Sequence, residues 1–233
     1  MAAQWYSAFA ASSALSDIAD QFLVAMDNRS PEPQAPLCIN LLHLFMDEVL
    51  DSYFVVPMEM VSLNKMGRKV VNAGVNAIRT TSKLAITRVV KKMNNDELKP
   101  LADYIDSIII RPAAGLEQPT YLAVPISSGL HERLASTINQ GRTAGPRASA
   151  EEFSQALCGL IDESINQYFE IPVSMLKLGY VMEKIARVAM ESGRAASHTV
   201  VKKVHHTMDD QELLAFFDFA ESIVVEKPGT ALA

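Results

Sequence analysis

Tyr53-Phe54-Val55-Val56-Pro57 returns as Tyr168-Phe169-Glu170-Ile171-Pro172, and Met93-Asn94-Asn95-Asp96-Glu97-Leu98 returns as Met208-Asp209-Asp210-Gln211-Glu212-Leu213. Both pairs stand 115 positions apart, and the offset holds without a gap from 12–110 to 127–225. Leu42/Leu157, Asp47/Asp162, Glu48/Glu163, Met60/Met175, Lys69/Lys184, Arg79/Arg194 and Ser82/Ser197 keep the same register. A single long-range register of this length reads as a tandem duplication, and a repeat dictates architecture before any local signal does. The expected units are 1–111 and 127–233, joined by a linker at 112–126.

Each unit can be read twice. Ser12-Ser13 and Ser127-Ser128 open a first helix, because a serine hydroxyl satisfies free amides at a helix start. Leu15, Ile18, Phe22 and Met26 follow at helical spacing, as do Leu130, Leu134 and Ile138. A second helix is expected over 38–54 and 151–169, with Phe153, Leu157, Leu160, Ile161, Ile165 and Tyr168 on one face. Pro57 and Pro172 end it and open the next. The third element, 57–92 and 172–207, contains Gly67, Gly74, Gly179 and Gly193. Its periodicity keeps phase across them, which predicts one long helix per unit. Met66, Val70, Ala73, Ala77 and Leu84 are its expected core side. A fourth helix starts at Asn94 and Asp209, with Glu97 and Glu212 at capping-box spacing. Pro100 predicts a later start or a kink in the first copy. Tyr121 to Ile126 carries the only strand signal.

The predicted fold is therefore all-α: two helical-bundle units related by an approximate two-fold axis. The composition agrees, being 49% hydrophobic but only 7% aromatic in 233 residues. Cys38 and Cys158 fall at non-equivalent positions, which speaks against a disulfide framework and for a reducing cytoplasm. No apolar run reaches the ~20 residues of a membrane span. The first basic residue is Arg29, so the charged start of a signal peptide is missing. A cytoplasmic protein without membrane insertion is expected.

The net charge of −6 is unevenly spread, because residues 62–92 hold eight basic residues and no acidic one. Lys65, Lys69, Arg79 and Lys83 form one stripe of the third helix. Lys184, Arg187, Arg194 and Lys202 form its counterpart, diluted by Glu183 and Glu191. Such a stripe can meet phosphates through charge alone. The acidic total and the absence of interleaved aromatic residues favour a solvated face instead. Pairing of Lys69/Lys184 with Glu48/Glu163, and of Arg79/Arg194 with Asp106/Glu221, is expected between neighbouring helices.

Catalytic signatures are missing: there is no phosphate-binding glycine loop, nucleophile elbow, HExxH or CxxC. Ser62 to Lys65 and Ser174 to Lys177 match SxxK but do not align in the repeat. His205 and His206 stand four residues before Asp209 and Asp210, a spacing that suits a cation. Asp209 reads better as a helix cap. His43 and Asp47 repeat the i,i+4 spacing more weakly. No catalytic, cofactor-binding or metal residue is assigned from the sequence. The expected function is a non-enzymatic interaction protein that binds a protein partner or its own copy. Polyanion binding through the stripe is the alternative, and a metal-binding helical-bundle enzyme the second.

Overall fold

The computed structural model describes residues 4–60, 65–112, 118–176 and 178–226. The chain is mostly helical. It begins with strand β1 (Trp5–Ala10), then α1 (Ser13–Asp27) and α2 (Ala35–Leu50). A π-helical turn (Asp51–Val55) leads into α3 (Val56–Glu59), followed by α4 (Lys65–Val90), α5 (Asn95–Ile108) and β2 (Ile109–Ile110). The second half runs through β3 (Tyr121–Ile126), α6 (Ser128–Ala144) and α7 (Ala150–Ile165). A second π turn (Asn166–Glu170) precedes α8 (Ile171–Met175), α9 (Tyr180–Val204), α10 (Asp210–Ser222) and β4 (Val224–Val225).

Helix starts follow the sequence closely. Ser12 and Ser127 accept from the amides of Leu15 and Leu130. Glu48 and Glu163 take the serine hydroxyls in turn, fixing α1 on α2 and α6 on α7. Asn94 and Asp209 each close a full capping box, with Glu97 and Glu212. Such a cap contributes about 1 kcal/mol. Pro100 neither delays nor ends α5, which starts at Asn95 like its counterpart and runs through it.

The small sheet departs from the helical expectation. β1 and β3 pair antiparallel with Ala8 opposite Ala123, and β2 and β4 complete the order β2-β3-β1-β4. The strand that closes the first half (β2) pairs with β3, and the strand that closes the second (β4) pairs with β1. Each half thus lends its last strand to the other. The final six residues of the expected linker 112–126 are therefore a central strand. β1 was invisible because Trp5, Tyr6 and Phe9 favour a strand but alanine does not, and the six residues show no clean alternation. Its middle, Ser7 to Phe9, is buried on both faces.

The long third helix runs unbroken past Gly74 in α4 and Gly193 in α9, as its phase predicts, but it does not cross Gly179, which is the N-cap of α9. It begins later than Pro57 and Pro172, which sit in the short α3 and α8. Its inward side also differs from expectation. Val71 and Val75 are buried, while Ala73, Ala77 and Leu84 face solvent. Met66 and Val70 lie outside the described side chains. The reason is the neighbour: α2 lies along α4, and its acids draw the basic face to the border of the core. Arg79 Nε stands 3.1 Å from Asp47 and its Nη2 2.6 Å from Asp51, while Lys83 bonds the other oxygen of Asp47. In the second half Arg194 meets Asp162 at 3.0 Å and Glu170 at 2.8 Å, with His198 2.9 Å from Asp162. The expected partners are taken elsewhere: Asp106 pairs with Arg111 and Glu221 with Arg142. Glu48 and Glu163 serve the caps.

Two main clusters make the core. One packs Phe22, Phe45 and Leu98 and reaches into the second half through Tyr168; the other packs Leu130, Phe153 and Phe217. Each such side chain contributes roughly 1.5–3 kcal/mol on leaving water. α4 and α9 pack on each other and cover the junction of the halves.

Candidate functional site

The two π turns set the geometry of that junction. Proline has no amide hydrogen, and its ring crowds the carbonyl four residues earlier. At Pro57 and Pro172 those carbonyls belong to Tyr53 and Tyr168, and the wider π turn makes room. An extra residue in the turn also re-aims the side chains that follow, a use π bulges often have. Tyr53 and Tyr168 both reach the central strands. The Tyr53 hydroxyl lies 2.7 Å from Ser7 Oγ. Tyr168 donates to the Leu122 carbonyl at 3.0 Å, and Ser164 donates to Ser7 Oγ at 3.4 Å. Burial pushes the Tyr53 phenol up to about 12 and raises Tyr168 well above the ordinary tyrosine value. Both are neutral near pH 7.

Beside these tyrosines lies an open-mouthed cavity of about 140 Å³, lined by α2, α4, α7, α9 and α10. Its wall is apolar, with Met46, Leu50, Leu160 and Phe219 among its residues. The polar exceptions are neutral: Ser82 from α4, Ser197 from α9, Ser164 and the two tyrosines. Ser197 is buried and spends its proton on the Gly193 carbonyl within its own helix. Gly193 is buried against the cavity, and a Cβ placed there would meet nothing within 4 Å. A second cavity, of about 50 Å³, shares Tyr53, Phe54, Leu157 and Phe216 with the first. A general acid or base works best with a pKa near the operating pH, and these phenols are shifted away from it. The site can hold an apolar group and offer it a hydroxyl.

The basic stripe is not one surface. Arg79, Lys83 and Arg194 are half-buried in the ion pairs with α2, α7 and the second π turn, and Arg187 pairs with Glu183 within α9. Lys69, Lys184 and Lys202 are exposed and carry no ion pair among the described residues. The side chain of Lys65 lies outside the described residues. Arg68, Arg88, Lys91 and Lys92, counted among the basic residues of 62–92 but not placed on the stripe, are exposed cations on or just beyond α4.

Other candidates resolve into local structure. Ser174 Oγ donates to the Ile171 carbonyl, and residues 62–64 and 177 of the SxxK matches lie outside the described residues. The His43 ring bonds the Lys83 carbonyl and the Thr87 hydroxyl, each at 3.0 Å, rather than Asp47. Asp209 caps α10 and Asp210 pairs with Arg147, so neither gathers at His205 and His206. Glu151 does so instead, a residue that no local pattern linked to them because it lies 54 positions upstream. Cys38 and Cys158 are both free and buried. No known protein family, curated protein or solved structure matches the chain.

Proposed function

We propose that the chain is a non-enzymatic interaction protein, a regulator, adaptor or assembly component that binds a protein partner. In this reading it is a tandem duplication whose units fold as an interlocked pair, and the cavity at their junction receives an apolar group. The repeat register supports the duplication. So do the pairing of Ala8 with Ala123, the two π turns and the two Ser–Glu bonds, all spaced by 115 positions. One observation carries the binding role: the 140 Å³ cavity with its apolar, uncharged lining. An apolar cavity of about this size stays dry and takes up a single aromatic ring. Filling it replaces empty space with contacts, and interfaces concentrate their energy where an apolar anchor enters such a pocket.

The test uses indole and toluene as stand-ins for the anchor. Titration calorimetry should show one site per chain. Gly193→Leu grows a side chain into the free space and adds helix propensity, so it should abolish that site while the melting temperature holds or rises. Absent binding to the wild type, or equal binding to Gly193→Leu, would overturn the reading.

The polyanion alternative rests on the exposed cations on and just beyond α4. If it holds, a DNA duplex binds with an affinity that falls steeply with salt, and replacing Lys69, Arg88, Lys91 and Lys92 by glutamate removes it.

A further inference from the structure

The end of α9 meets the start of α7 at three groups that the cavity does not use. His205 caps α9 and is buried, and its Nε2 lies 3.1 Å from Glu151 Oε2 in the first turn of α7. The exposed His206 ring lies over it, with centroids 3.8 Å apart and planes tilted by 38°. One donor atom from each of the three lies within 4.8 Å of the others. The short contact to Glu151 accounts for the place of His205, and His206 brings a second imidazole beside the same carboxylate.

The fold itself does not ask for this trio. At the positions 115 earlier stand Pro36, Val90 and Lys91, and the same helices form there with none of these donors. Two imidazoles and a carboxylate suit zinc, nickel or copper, and a three-residue set leaves a fourth position for water or a ligand. Bonds of about 2.0–2.2 Å place the donors of a tetrahedral ion roughly 3.4 Å apart. Glu151 and His206 are exposed and can close that gap by side-chain rotation. Ser154, one turn along α7, lines the small cavity that His205 also lines. It is buried, and its Oγ has no hydrogen-bond partner among the described residues.

We propose that Glu151, His205 and His206 form a binding site for a divalent transition-metal ion of the zinc class, tying the start of α7 to the end of α9. The site is independent of the function proposed above. It is tested on the full, tag-free chain with Co²⁺ as the absorbing probe and Zn²⁺ as competitor. One equivalent of Co²⁺ per chain should give the visible bands of a low-coordinate site and be displaced by Zn²⁺. Glu151→Gln and His206→Ala, both at exposed positions, should each weaken binding at least about tenfold, since losing even an outer partner costs 10–100-fold. Their circular dichroism should match wild type. His131→Ala, which removes a histidine stacked on Trp5, should bind as wild type. Wild-type binding below one equivalent, undiminished binding in both variants, or a loss caused by His131→Ala would overturn the proposal.

Discussion

Tyr53 shows how burial turns one hydroxyl into a pH-dependent contribution to stability. Its phenol is held near 12 in the folded chain, against about 10 in the unfolded one. Between these values the unfolded chain releases a proton that the folded chain keeps, so stability falls as pH rises. The contribution is intact below pH 10 and lost by about pH 12. At roughly 1.4 kcal/mol per unit it amounts to about 3 kcal/mol. The buried Cys38 thiol, also raised to about 12, opens its window near pH 9. Urea unfolding from pH 7 to 11 should therefore show a midpoint that drops above pH 9. Tyr53→Phe should flatten part of that drop while lowering stability at pH 7 by about 1 kcal/mol, through the lost Ser7 bond. An equal alkaline drop in the variant would exclude Tyr53 as a source.

Among the helices, two glycines separate propensity from packing. Gly74 lies inside α4, and a Cβ there would meet nothing within 4 Å. Gly74→Ala should raise stability by about 0.5–1 kcal/mol, because glycine loses the most backbone freedom in a helix. Gly141 lies inside α6 where the fully buried Phe217 of α10 packs against it. A Cβ there would collide with the Phe217 ring and stand 2.6 Å from Ser149 Oγ. Gly141→Ala should cost about 1–3 kcal/mol by overpacking. Thermal melts of the two variants should shift in opposite directions, and a shared direction would contradict the assigned packing. The sequence reads Gly74 as helical but places Gly141 at the start of a loop running to Ser149; α6 instead continues through Gly141 to Ala144, and the approach of α10 makes that position tight.

Across the whole molecule, the exchange of end strands predicts that neither half is a complete folding unit. Residues 4–112 keep β1 but lose both its sheet partners, β3 and β4, and their core loses Tyr168. Residues 118–226 lose β1 and β2. Expressed apart, each should lack a cooperative melt. Mixed from denaturant, they should assemble one to one and regain it, measured by near-ultraviolet circular dichroism and light scattering. A single half that melts cooperatively as a monomer would show that the exchange is dispensable.

Local chemistry made much of this fold legible. The Ser12, Ser127, Asn94 and Asp209 caps depend on side chains within three residues of the amides they bind. The continuity of α4 and α9 follows from a phase that Gly74 and Gly193 do not interrupt, and Leu98, Leu101, Ile105 and Ile108 were buried as their spacing requires. Tyr53/Tyr168 read as a repeated core pair, and Tyr168 is buried, but that Ser82/Ser197 line a cavity was not readable, because period gives a face and not what covers it. β1 became a strand only through partners more than 100 positions away. Glu151 joined His205 and His206 only when α7 lay beside α9. By itself the sequence determined most of the helices and their caps, since each rests on short-range hydrogen bonding or on periodicity. Tertiary structure alone decided the sheet, the cavity and which charges are free, since each depends on how distant surfaces exclude water from one another.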